Sequence, residues 1–82
     1  MTSGVIHSSV HELDLKYLAC PLPVLKTKKF IKTLKPEDLL VIISTDPSST
    51  ADFKTFCEVT GHALETSSEC DGTYVFHIRV KK

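Results

Sequence analysis

One of the three cysteines, Cys20, stands in the run Leu18-Ala19-Cys20-Pro21-Leu22-Pro23, directly ahead of a lysine-rich amphipathic segment. Proline is favoured at the first position of a helix, where its missing N–H would have had no partner. Pro21 therefore predicts a helix opening at about residue 21, with Cys20 at or beside its N-cap. The residue before a proline avoids helical angles, so Leu22 is a rival for the cap. In either case the sulfur lies at the positive end of a helix dipole, which favours thiolate over thiol. If Cys20 is the cap, the Leu22 N–H is the backbone donor left to reach the sulfur. The chemistry open to such a group is nucleophilic attack or exchange with another sulfur.

Charge supports the same residue. Between Lys16 and Lys35 there are six lysines and no acidic side chain, although the whole chain balances ten basic residues against ten acidic ones. A formal net charge of zero thus conceals a basic part, which contains Cys20, and an acidic remainder. Cations close to a thiol lower its pKa. Screening over roughly 8 Å in physiological salt restricts that effect to the nearest lysines. Lys26, Lys28 and Lys29 are expected to contact a partner, because the charge surrounds the reactive end. Leu25 projects on the lysine side and adds an exposed apolar residue there.

Other chemistries fit less well. A redox Cys-x-x-Cys pair would need a second thiol at position 23, which is Pro23. Acyl transfer needs a base near the nucleophile. Of His7, His11, His62 and His77, only His62 follows a helix end that could meet Cys20; its default is a partly exposed helix-end histidine. His7 and His11 precede a strand, and no paired cysteine spacing supports zinc. Cys57 shares an apolar face with Phe53 and Phe56 and reads as core. Cys70 lies between Glu69 and Asp71, where negative charge disfavours a thiolate, and reads as a bystander.

The elements that position these residues follow from periodicity. His11 to Leu15 alternates as a half-buried strand does. From Pro21 to Leu34, Val24, Thr27, Ile31 and Leu34 recur at helical spacing with Phe30 at the edge of that face, and Lys35-Pro36 ends the helix. Lys32 and Lys35 suit its C-terminal dipole. Asp38 to Thr45 is nearly continuous in apolar and β-branched residues, which predicts a central strand buried on both faces or nearly so. Asp46-Pro47-Ser48-Ser49 is a turn. Ser49 and Asp52 have capping-box spacing for a second helix, whose apolar side is Phe53, Phe56, Cys57 and Thr60, with Gly61 as its stop. Ala63 to Glu69 is a weaker strand, Asp71-Gly72 a hairpin turn, and Thr73 to Val80 a strand that buries Tyr74, Phe76, Ile78 and Val80. The order β-α-β-α-β-β implies a two-layer α/β sandwich, a four-stranded mixed sheet with two helices on one face.

Size and composition agree. Eighty-two residues, 41% hydrophobic and 24% charged, make one small globular domain. We assign residues 1–9 to a flexible N-terminus and 10–82 to the domain. The longest apolar run, Leu39 to Ile43, is far too short to cross a bilayer. With no signal peptide at the N-terminus and an odd number of cysteines, the sequence points to a cytoplasmic protein with reduced thiols.

The residues also carry a family resemblance. Leu13-Asp14, the block Leu18 to Lys29, Asp46-Pro47-Ser48-Ser49-Thr50-Ala51-Asp52, Phe56-Cys57 and Gly61-His62 resemble the TusA/SirA-like sulfur carriers, in family order across nearly the whole chain. The resemblance implies the same sandwich fold. It also implies that Cys20, within a Cys-Pro-x-Pro motif completed by Pro21 and Pro23, accepts sulfane sulfur as a persulfide and relays it. The donor would be a cysteine desulfurase or another sulfur donor protein, the recipient a downstream acceptor protein, and the destination tRNA thiolation or related sulfur trafficking. No cofactor is implied. Asp46 belongs to a segment that lies near the thiol in the family. Tyr17 stands where most members carry glycine, a residue suited to an unusual backbone angle or to a partner's close approach. The alternative function is a non-catalytic adaptor that binds nucleic acid or protein through the basic helix 21–35. Direct nucleic-acid binding is disfavoured by the lack of a glycine-rich RNA-clamping loop and of a stacking platform.

Overall fold

The structure, a computed structural model, describes residues 9–82. The expected flexible N-terminus falls chiefly on residues 1–8, outside the described residues. The elements are β1 (Val10–Leu15), α1 (Leu22–Ile31), β2 (Leu39–Ser44), α2 (Ser49–Thr60), β3 (Ala63–Cys70) and β4 (Thr73–Arg79). They form one four-stranded sheet in the order β1-β2-β4-β3. β1 and β2 are parallel, while β4 runs antiparallel to both β2 and β3. This is the expected order, in a mixed sheet.

Both helices cover the same face. In register, Leu40 lies opposite Ile78 and Ile42 opposite Phe76, so their side chains share one side of the pleat. Ile31 from α1 and Phe53, Phe56 and Cys57 from α2 close over them in a single core. The Phe53 and Phe76 rings meet at 4.9 Å between centroids. Burying a side chain of that size stabilises the fold by roughly 1.5–3 kcal/mol. Thr27 is fully buried among these groups and satisfies its hydroxyl by donating to the Pro23 carbonyl at 2.8 Å.

Four local expectations change. Strand β2 is not buried on both faces: Leu40, Ile42 and Ser44 are buried, whereas Leu39, Val41 and Ile43 are half-buried. The reason is that helices cover only one side of the sheet. Helix α1 ends at Ile31 rather than continuing to Leu34. Beyond it the amides of Thr33 and Leu34 bond three residues back, to Phe30 and Ile31, each at 3.0 Å. This tightening still delivers Leu34 to the core. In consequence Lys28 and Lys29, not Lys32 and Lys35, occupy the last helical turn. Thr60 is exposed rather than part of the apolar side of α2, and its hydroxyl donates to the Phe56 carbonyl.

The turn chemistry is as expected. Gly61 caps α2 in the left-handed conformation at φ 86°, its N–H donating to the Cys57 carbonyl. Asp71 and Gly72 both have positive φ, 51° and 80°, as a type I′ hairpin requires. Among the described residues no helix is long and apolar enough to cross a membrane.

Candidate functional site

Parallel pairing of β1 and β2 decides where the site lies. Each strand is followed by a helix, so both helices begin at the carboxyl ends of those strands, where α/β sheets place their ligands. Leu15 and Ser44 are partners at that end. The loop after β1, carrying Cys20, therefore lies beside the turn after β2, carrying Asp46. Two hydrogen bonds join them. The Tyr17 N–H donates to Thr45 Oγ1 at 2.8 Å, and the Cys20 N–H donates to Asp46 Oδ2 at 2.6 Å. Tyr17 has φ 69° and an exposed side chain. The position at which the resemblance implies glycine thus has a left-handed backbone.

The start of α1 lies where expected, with Cys20 beside the N-cap, although neither Cys20 nor Leu22 is the cap. Pro21 is the N-cap, Leu22 opens the helix, and Pro23 follows within its first turn. Cys20 lies one residue outside the cap. The Leu22 N–H donates to the Ala19 carbonyl at 2.9 Å instead of reaching the sulfur, and the first helical bond runs from the Leu25 N–H to the Pro21 carbonyl at 3.1 Å. No side chain caps the helix.

The start of α2 is built on Asp46. Its Oδ1 accepts from the Ser48 N–H at 3.0 Å, and its own N–H donates to Ser44 Oγ at 3.2 Å. The expected capping box between Ser49 and Asp52 does not form. Ser49 is buried, its hydroxyl paired with that of Ser44 at 2.6 Å. Ser48 is the N-cap, and its hydroxyl donates to Asp52 Oδ2 at 3.2 Å. A buried serine pair occupies the place the capping box would have taken.

These contacts reverse the electrostatic expectation for the thiol. The Cys20 sulfur is held above its ordinary value, first because the Asp52 carboxylate accepts a hydrogen bond from the protonated form. Desolvation by neighbouring atoms and the negative charges of Asp52 and Asp46 act in the same direction, against the Ser48 hydroxyl. No lysine is among the groups that shift it. The helix dipole acts only within about a turn, and here carboxylates stand closer than cations. Asp46 itself is held below the usual carboxylate range by the N–H groups of Ser48 and Cys20.

Cys20 is exposed at one end of a groove of about 460 Å³ between the two helices. Val24, Leu25, Phe56 and Val59 give the groove its apolar walls, with Asp52 beside the sulfur and Lys28 further along. Of the three lysines singled out from the sequence, Lys28 alone lines this groove. Lys26 and Lys29 border a separate shallow hollow with Leu13, Phe30 and Thr33. Pro23 lies on the buried side of α1, with Thr27 and Ile31. Leu25 is exposed, as expected.

The remaining candidates lie elsewhere. His62 follows the far end of α2, about 18 Å of helix from its start. Its Nδ1 accepts from the Lys81 N–H at 3.0 Å, and its ring lies against Phe56. His11 pairs with buried Asp38 at 3.2 Å. Cys57 is in the core, where burial pushes its thiol up to about 11. Cys70 is exposed at the hairpin, its Sγ 3.9 Å from Asp71 Oδ2. Asp52 and Ser48 are the neighbours of Cys20 that sequence reasoning missed. The available signal was the parallel β-α-β unit, which brings the two helix starts together.

The chain has relatives that match it over most of its length. The chain is 42% identical over 71 residues to the sulfur carrier protein TusA of Allochromatium vinosum, covering 87% of this chain and 91% of that one. It is 41% identical over 75 residues to TusA of Pseudomonas aeruginosa, covering 92% and 95%. The crystal structure of a SirA-like protein from Desulfitobacterium hafniense has the same fold, with a TM-score of 0.75 at 20% identity over 88% of this chain and 99% of that one. The profile of the family described as Sulfurtransferase TusA matches residues 11–80, and the chain belongs to that family.

Proposed function

We propose that this protein is a sulfur carrier in which Cys20 takes on one sulfane sulfur as a persulfide and passes it to an acceptor protein. The observation that carries the reading is an exposed thiol whose backbone is clamped to Asp46 at the end of an inter-helix groove, in a chain of the TusA family. In loading, the Cys20 sulfur attacks the outer sulfur of a donor persulfide. The new S–S bond forms as the donor's S–S bond breaks, and the thiol proton passes to the departing donor sulfur. Unloading repeats the exchange with an acceptor thiol, and Cys20 regains its proton. Oxidation states balance within each exchange, so the step runs on sulfur alone.

The absence of a second cysteine in the loop supports a carrier over an oxidoreductase, because cargo cannot be discharged by a local disulfide. The donor is a cysteine desulfurase or an equivalent persulfide protein, and the destination is tRNA thiolation or a related sulfur-trafficking route. Three free thiols suit a reducing compartment, the cytoplasm.

Intact-mass measurement after incubation with cysteine and a cysteine desulfurase tests the reading. A gain of one sulfur that a reductant removes is expected in the wild type and in Cys57→Ser and Cys70→Ser. Loss of that gain in Cys20→Ser completes the case. No gain in any of them, with binding to a partner intact in Cys20→Ser, would support the adaptor reading instead.

A further inference from the structure

The contacts around the thiol form a chain of hydrogen bonds. It leaves the Cys20 N–H for Asp46 Oδ2 at 2.6 Å, passes from Asp46 Oδ1 to the Ser48 N–H at 3.0 Å, and runs from Ser48 Oγ to Asp52 Oδ2 at 3.2 Å. It ends at Asp52, which lines the same groove as Cys20. The two carboxylates are not equivalent. Both oxygens of Asp46 accept N–H groups, which spread its charge over two bonds. Apart from the Cys20 thiol, Asp52 accepts only the Ser48 hydroxyl and, among the described residues, has no ion-pair partner. Its negative charge is therefore the less compensated of the two, and it shares the groove with the sulfur.

We propose that Asp52 is a positioning residue of sulfur exchange, a fixed negative charge beside the Cys20 sulfur that favours cargo leaving over cargo staying and admits cationic reactants ahead of anionic ones. The inference rests on the carrier reading and adds a direction to it. A persulfide is more readily ionised than the thiol it replaces. The loaded form thus places a second negative charge against Asp52, whereas the unloaded thiol donates a hydrogen bond to it. The charged groups facing the pair are Asp46 from the β2–α2 turn and Lys28 from α1. The raised thiol is the resting-state sign of the same field.

Charged thiol reagents measure the field without any partner. In the full chain carrying Cys57→Ser and Cys70→Ser, residue 20 is the one remaining thiol. Its thiolate attacks the sulfenyl sulfur of a methanethiosulfonate, forming a mixed disulfide and releasing methanesulfinate. Rates are compared for a trimethylammonium reagent and a sulfonate reagent of similar size, at low salt and across neutral to alkaline pH. Asp52→Asn is expected to lower the cation-to-anion rate ratio about fivefold, because removing one unit charge about 8 Å from the reagent's charge in a water-like medium slows the cation and speeds the anion by a little over twofold each. It also moves the pH midpoint of both reactions downward. Asp52→Glu keeps the ratio. Should Asp52→Asn fail to fold, Ser48→Ala, which releases the carboxylate from its tether, supplies the same readout with a smaller fall. A ratio and midpoint unchanged in the folded variant overturn the proposal. Failure of the carrier reading shows separately, as a wild-type chain that gains no reductant-labile sulfur from a donor.

Discussion

The Cys20 N–H and the Asp46 carboxylate, 26 residues apart in sequence, meet at 2.6 Å. The backbone of the reactive loop is thereby fixed to the turn that starts α2. The bond carries the full charge of an ionised acceptor, so it is among the stronger kinds. Asp46→Ala removes it together with the Ser48 contact. We expect sulfur loading to slow about tenfold, because a misplaced nucleophile costs rate well before it costs binding. Asp46→Asn retains one acceptor oxygen and should fall between the two. Time-resolved intact mass after exposure to a persulfide donor gives the order. Loading in Asp46→Ala at the wild-type rate would show that the clamp has no part in the transfer.

The three thiols divide by environment. Cys20 and Cys70 are exposed and Cys57 is buried. An aromatic disulfide reagent at mildly alkaline pH should therefore titrate two thiols promptly in the native protein and the third only after denaturation. Cys20→Ser lowers the prompt count by one, and Cys57→Ser leaves it unchanged. Prompt reaction of Cys57 in the folded chain would contradict the core packing of α2.

Periodicity made most of this fold legible. The alternation of Tyr74, Phe76, Ile78 and Val80 and the helical spacing of Phe53, Phe56 and Cys57 each mark a face that the structure buries, with Tyr74 only half-buried. Asp71-Gly72 and Gly61 announce positive φ where it occurs. The thiol's electrostatics were not legible in the same way. Counting lysines along the chain places Cys20 in a basic segment, but Lys26 and Lys29 flank a different hollow. The groups that govern the sulfur, Asp46, Ser48 and Asp52, come from the next β-α unit. Only topology brings them near, so a charge sum over neighbours in sequence gives the wrong sign.

Lys28 separates a carrier with a defined docking groove from a diffuse basic surface. It lines the groove that ends at Cys20, whereas Lys29 lies outside it. Lys28→Glu should slow transfer from a donor protein about threefold more than Lys29→Glu at low salt, with the gap closing as salt rises. Equal effects would indicate that net charge, not the groove, attracts the partner.

Tyr17 adopts φ 69° with its side chain 87% exposed. A left-handed backbone costs a non-glycine residue roughly 1–2 kcal/mol, while glycine returns part of that through its freer unfolded state. Tyr17→Gly should raise stability by about 0.5–1 kcal/mol in urea unfolding. The Tyr17 N–H bond to Thr45 belongs to the backbone and survives the change. A loss of stability would mean that the ring makes contacts worth more than the strain.

Stability against pH draws on several shifted groups, His62, Asp38, Asp46 and Cys57 among them. Burial and Lys82 hold His62 below its ordinary 6.5, so the unfolded chain takes up that proton first. The contribution of neutral His62 is present above 6.5 and lost as pH falls through the lower folded value, where protonation of Nδ1 also breaks the bond from the Lys81 N–H. Backbone N–H groups hold Asp38 and Asp46 below 3.8, those of Ser9 and Lys35 for the first and of Ser48 and Cys20 for the second. Their contribution is present above that value and disappears in more acid solution. Cys57 runs the other way, because its folded thiol keeps its proton up to about 11 against an ordinary 9.0. Its contribution is complete below 9.0 and is lost as pH rises towards about 11. Urea midpoints should form a plateau between these limits, with a shallow loss below 6.5, a steeper one below 3.8 and another above 9.0. His62→Gln should flatten the first step and Cys57→Ser the last. A midpoint that climbs as the solution is acidified from neutral would contradict the half-buried, uncharged state of His62.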